Sequence, residues 1–207
     1  MSDAHRFGAL FGSREPVTAE EFFAHLPPLE TPRLLLRCAR TGDAADIFRY
    51  AGDPEIDRYV LWEAHRTISD SRAMIRALIR QYHTCQPATY VIEERKTGRV
   101  IGTIGFTDYR PEIKTAELGY SLARTKWNMG YATEALGAML ALCFDRMRLH
   151  RAEAVHDVRN PASGRVMQKC GMRCEGTIRS RVFNKGEWCD VALWAMTEDD
   201  WSALTQA

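Results

Sequence analysis

No run in the 207-residue chain approaches the roughly 18 consecutive apolar residues of a membrane-spanning helix, so no helical span is expected. The opening stretch MSDAHRFGALFGSREP is charged and broken by Gly and Pro, without the apolar core of a signal peptide. An excess of one charge is also missing: 28 Lys and Arg stand against 27 Asp and Glu. That balance argues against nucleic acid and against a charged scaffold as partners. The six cysteines (Cys38, Cys85, Cys143, Cys170, Cys174 and Cys189) form no CxxC pair. They lie in apolar or strand-like segments and read as reduced core thiols of a cytoplasmic protein, not as a disulfide framework. The histidines are scattered without metal-ligand spacing, so no metal is expected. Internal repeats and low-complexity tracts are absent too.

What is present is an ordinary globular composition, 45% hydrophobic and 27% charged, in a length that builds one core and is short for two. Residues 1–29 read as an N-terminal extension. Within it TAEEFFAHL forms a short helix capped by Thr18, with Glu21 at the capping-box position. Residues 30–207 read as the domain. RLLLRCA is a first strand and TGDAADIFRYAG a short helix burying Ile47 and Phe48. SDSRAMIRALIRQYH is a clearer helix with Ser69 as N-cap; Met74, Ile75, Leu78, Ile79 and Tyr82 share one face. The period then changes. ATYVIEER and RVIGTIGFTDY make a hairpin, and TAELGYSLA adds a strand. YATEALGAMLALCFDRM is a long helix, apolar nearly all round and therefore buried. RAEAVHDV returns to strand. NPASGRVMQKCG is a short helix begun by Asn160 and Pro161 and ended at Gly171. RCEGTIRSRVF and WCDVALWAMT close the chain as a hairpin, with Trp188, Trp194 and Trp201 read as core and hairpin residues or a dimer edge. Strands mixed with helices, partly antiparallel and partly β-α-β, give one α/β domain.

The segment RTKWNMGYA, between a strand and the long helix, carries the chemistry. A helix start offers unpaired N–H groups and partial positive charge, a site for a pyrophosphate. Close approach needs small neighbours. Gly130 also tolerates a left-handed conformation, and Ala132 keeps the way clear. Neither a Walker Lys-Ser/Thr pair nor a full GxGxxG is present. By itself, Gly-x-Ala before a helix is more often a plain turn.

In order along the chain, ETPRLLLR, AELGYSL, WNMGYATEAL, NPASGRVMQKCGM and GEWCDVALW resemble the GNAT superfamily of acyl-CoA-dependent N-acyltransferases, and more narrowly its RimJ/RimL-like branch of ribosomal-protein N-acetyltransferases. The resemblance spans about Glu30 to Trp201. It implies a mixed, mostly antiparallel central sheet of about seven strands flanked by helices, splayed between the fourth and fifth strands. The family signature Arg/Gln-x-x-Gly-x-Gly/Ala falls on Trp127, Gly130 and Ala132, with Trp in place of Arg/Gln. It implies that Trp127, Asn128, Met129, Gly130, Tyr131, Ala132 and Thr133 hold the pyrophosphate of coenzyme A; Lys126 or Arg124 adds charge or is simply solvated. The pantetheine arm then lies along Leu118, Gly119 and Tyr120, filling the splay as an added strand does. Asn160 and Ser163 match the family's cofactor contacts, although Asn160 serves equally as a helix cap. Where many members carry an acidic Tyr, this chain has Met167, which donates no proton; Ser163, Tyr120 or water takes that part.

The implied reaction moves an acetyl group from acetyl-CoA to a primary amine in a ternary complex, releasing coenzyme A, without a metal. Glu117 and Ser163 are the candidate catalytic residues. Glu117 is the base, or else a strand salt bridge; a free Glu titrates at about 4.3 and needs burial or a water chain to act near neutrality. The acceptor is a peptide α-amine or a small amine, read by the segment Asp53 to Arg72, where Tyr59, Trp62 and Glu63 suit a cation. Other readings are a non-catalytic acyl-CoA sensor and a donor such as succinyl-CoA. Monomer and homodimer both remain open.

Overall fold

The structure, a computed structural model, describes residues 16–84 and 86–206. Residues 1–15 of the expected extension and Cys85 lie outside that range. The Thr18 N–H donates to the Glu21 carboxylate at 2.9 Å and the Glu21 N–H to Thr18 Oγ1 at 3.1 Å, the expected capping box. It starts α1 (Ala19–His25), whose Phe22 and Phe23 are buried edge-on against Phe106. This part of the 1–29 segment therefore packs into the domain core.

Among the described residues eight strands form one sheet: β1 (Leu29–Glu30), β2 (Leu34–Arg37), β3 (Thr89–Glu94), β4 (Arg99–Arg110), β5 (Thr115–Leu122), β6 (Arg151–Asp157), β7 (Arg173–Asn184) and β8 (Glu187–Thr197). Their order is β1-β2-β3-β4-β5-β6-β8-β7, and only the β5–β6 contact is parallel. The strand beyond the expected seven is the two-residue β1, too short to show a period. Both faces of the middle strands are buried. Val91 and Val100 pack under α2 (Ala44–Ala51) and α4 (Ile68–Tyr82), while their neighbours Ile92 and Ile101 pack under α5 (Tyr131–Ala141). Between α2 and α4 lies one turn, α3 (Pro54–Asp57).

Two expectations are corrected. The cap of helix α4 lies two residues before Ser69, at Thr67, because Asp70 accepts from the Thr67 N–H at 2.8 Å and closes the box from there. The chain also ends in a helix, α7 (Glu198–Gln206), reached after the hairpin through a Thr197–Asp200 cap. Its Trp201 is buried, stacked on Phe144, and donates to Asp145 at 2.7 Å. Trp188, by contrast, is exposed. Helix α5 is buried on every side and widens into a π turn over Leu142–Arg146.

Candidate active site

Strands β5 and β6 pair only from Thr115–Arg151 to Glu117–Glu153. Beyond Glu117 they part, and a cleft of about 510 Å³ opens between them. This is the expected splay, counted here between the fifth and sixth strands because of β1. From Leu118 to Leu122 and from Ala154 to Asp157 the two facing edges carry backbone groups unpaired with each other.

The mouth of the cleft is the loop before α5. Asn128 (φ 58°) and Gly130 (φ 78°) both adopt the left-handed region, so the chain turns sharply into the helix. No side chain caps the helix, which leaves its first N–H groups, on Tyr131, Ala132 and Thr133, facing the cleft. The loop is fastened from outside. Glu134 accepts from Thr31 Oγ1 at 2.6 Å and from Arg33 N and Nε at 2.8 and 2.6 Å; Arg33 then donates to the Met129 carbonyl at 2.9 Å and stacks over Tyr131. On the other flank Glu94 receives Lys126 Nζ at 2.7 Å and the Tyr131 hydroxyl at 2.6 Å. Chiefly the Lys126 hydrogen bond, and then Tyr131, hold the Glu94 carboxyl down at about 2. Arg124 is bound to Asp53 at 2.7 Å. The charges of Lys126 and Arg124 are thus already matched by carboxylates. Trp127, at the departed signature position, is half-exposed and donates from Nε1 to the Leu122 carbonyl at 2.8 Å.

Helix α6 (Pro161–Lys169) forms the far wall. Asn160 caps it, accepting from the Ser163 N–H at 3.4 Å, and also lines the cleft, so it can do both expected jobs. Tyr120 reaches across from β5: its hydroxyl is 2.9 Å from Ser163 Oγ and donates to the Ser163 carbonyl at 3.1 Å. Burial pushes that hydroxyl far up, so it keeps its proton at neutral pH. Met167 is buried in the core, turned away from the cleft.

Glu117 lies on the opposite face of β5, since alternation separates it from Tyr120. The register sets Asp108, Glu117 and Glu153 side by side. Arg110 bridges Asp108 and Glu153. Glu117 instead receives the Thr107 hydroxyl at 2.8 Å, and Thr107 is the extra residue of a β-bulge in β4. A Cβ at residue 119 would come within 2.7 Å of Thr107 Cγ2, so Gly119 is what lets Thr107 reach over. Leu118 points the other way, into the core beneath α5.

Of the three expected acceptor residues, Tyr59 lines the cleft. Trp62 packs against the α2–α4 cluster and His65, and Glu63 is exposed outside the cleft. The β7–β8 turn closes over α3: Asn184 Nδ2 donates to the Val60 carbonyl at 3.2 Å, and Lys185 pairs with Asp57 at 3.3 Å.

The model of the GNAT acetyltransferase domain matches residues 33–173. The chain belongs to the GNAT acetyltransferase family. Within it, the uncharacterized N-acetyltransferase YoaA of Bacillus subtilis is 31% identical over 172 residues, 83% of this chain and 97% of that one. The [ribosomal protein uS5]-alanine N-acetyltransferase of Escherichia coli is 27% identical over 183 residues, 84% and 92% of the two chains. The crystal structure of the Microcin C7 self immunity acetyltransferase MccE, in complex with acetyl-CoA and AMP, shares the fold with a TM-score of 0.74 at 19% identity, over 81% of this chain and 93% of that one. This GNAT chain is an N-acetyltransferase. Among its described residues no group of His, Cys, Asp and Glu could hold a metal, and no helix is long and apolar enough to cross a membrane.

Reading the sequence did not find Thr107, Glu94 or Glu134. Thr107 looks like any strand residue until the bulge is seen. The Lys126 and Tyr131 partners of Glu94, and the Thr31 and Arg33 partners of Glu134, lie 32 and more residues away in the chain. ETPR was a motif without a partner; its Thr31 and Arg33 turn out to grip α5.

Proposed function

We propose that this acetyltransferase moves the acetyl group of acetyl-CoA directly to a primary amine, with a protein N-terminal α-amine as the favoured acceptor. One observation carries the reading: β5 and β6 part beyond Glu117, and an uncapped helix start stands at the mouth of the gap. Free strand edges suit an amide-bearing arm, and helical N–H groups suit a pyrophosphate. The family match, and the acetyl-CoA bound by a protein of the same fold, support that donor. Bound there, acetyl-CoA supplies an activated acyl thioester.

The chain's own groups do the rest. Backbone N–H groups near Leu118 or Gly119 polarise the carbonyl. Glu117, steadied by Thr107, takes a proton from the acceptor ammonium, directly or through water. The amine nitrogen bonds to the acetyl carbon as the carbon–sulfur bond breaks, and the second proton it must lose to become an amide passes through water to replace the one Tyr120 gives up. The Tyr120 hydroxyl, with Ser163 behind it, returns a proton to sulfur. Tyr59 stands on the acceptor side. An α-amine, with a pKa near 7.7–8.0 against about 10.4 for Lys, asks less of a carboxylate base. The uS5-alanine acetyltransferase relative points to the same class.

Two assays test this. A thermal shift with acetyl-CoA or coenzyme A at about 100 times the dissociation constant should raise Tm by roughly 5–10 °C, and ATP should do little. Ala- and Ser-initiated peptides should then gain one acetyl group faster than an N-blocked lysine peptide or a polyamine. No shift with either CoA species would overturn the donor. Preference for the polyamine would overturn the acceptor, and faster transfer from succinyl-CoA would overturn the acetyl group.

A further inference from the structure

Five cationic side chains line the cleft, and three are engaged. Lys126 is held by Glu94, Arg159 by Asp157 and Glu187, and Arg58 lies over the Tyr59 ring. Arg165 and Lys169 differ. Both are exposed, both line the cleft, and neither has a carboxylate partner among the described residues. They sit four residues apart on α6, on one helix face. Like charges at that spacing repel and slightly destabilise a helix. The residues three and four before Arg165 are Ala162 and Pro161, and Gln168 follows at three, so nothing on the helix offsets the repulsion. Lys169 gains something from the helix C-terminus; Arg165, in mid-helix, does not.

The position of the pair is defined by its neighbour. Cys170 Sγ lies 3.4 Å from the Thr133 carbonyl, which pins the Lys169 end of α6 against the first turn of α5. Two unmatched cations therefore flank the helix start that offers only neutral N–H donors. A doubly charged phosphate monoester would relieve their repulsion and use both charges.

We infer that Arg165 and Lys169 form a subsite for a dianionic phosphate monoester, which on the donor proposed above is the 3′-phosphate of coenzyme A. The inference rests on that donor reading, and it assigns the pair a task separate from holding the pyrophosphate. Its consequence is discrimination between coenzyme A and 3′-dephospho-coenzyme A, which share every other group.

Calorimetric titration of the full chain with both compounds tests it, for wild type, R165Q, K169Q and the double variant, at two salt concentrations. Thermal melts confirm that each variant is folded; both side chains are on the surface. Wild type should bind coenzyme A about tenfold or more tighter than the dephospho form at low salt, with the gap shrinking as salt rises. The double variant should bind both with the affinity wild type shows for the dephospho form, and each single variant should fall between. Equal wild-type affinities would overturn the subsite and leave the donor reading standing. Equal losses for both ligands in the double variant would also overturn it, by moving the pair onto the pyrophosphate. Failure of wild type to bind either compound would overturn the donor reading and the subsite with it.

Discussion

The Tyr120 hydroxyl stands 2.9 Å from Ser163 Oγ, joining β5 to the first turn of α6 across a gap that backbone pairing leaves open. In the mechanism proposed above, this hydroxyl is the proton donor that Met167 cannot be. In Y120F, kcat should fall about 10²-fold with coenzyme A affinity kept. S163A should lose less, since the Ser163 carbonyl still receives the Tyr120 hydroxyl. An unchanged kcat in Y120F would mean that water protonates the sulfur.

Glu117 is the carboxylate at the point where the strands part. E117Q should lower kcat by about 10²-fold or more without weakening coenzyme A binding. T107V should lower kcat by a smaller factor, and T107S should restore it, because the role assigned to Thr107 needs only its hydroxyl. If T107S were as slow as T107V, the methyl group packed at Gly119 would be what matters.

Glu94 makes stability pH-dependent. Its carboxyl is held at about 2 in the folded chain against an ordinary 4.5, so its ion pair contributes fully above about 4.5 and is lost as pH falls toward about 2. E94Q should cost about 1–3 kcal/mol at neutral pH by leaving Lys126 unmatched. The Tm gap between wild type and E94Q should close as pH is lowered from 5 to 2. A gap constant over that range would show that packing, not charge, explains the loss.

Gly130 combines a left-handed φ with a Cβ position 3.3 Å from Arg33 Nη2. G130V should cost about 1–2 kcal/mol in strain, read by denaturant unfolding. It should also weaken coenzyme A binding, by at least about tenfold, equivalent to 1.4 kcal/mol. Full affinity in a folded G130V would remove this turn from the phosphate site.

Much of this was legible along the chain, because it depends on neighbours in sequence. Periodicity located β2 to β8 and α4 to α6. The Thr18–Glu21 box, the Asn160 cap and the Gly130 turn are all local, and local hydrogen bonding decides them. Helix α7 escaped because its nine residues, only one of them fully buried, carry too weak an apolar stripe. The tertiary structure decided what depends on register and distance. Alternation alone says that Glu117 and Tyr120 face apart, but only packing says that Tyr120 meets α6 while Glu117 meets a bulge on β4. Which cations are matched and which are left free is likewise a three-dimensional matter: Glu94 and Lys126 are 32 residues apart in the chain and 2.7 Å apart in the fold.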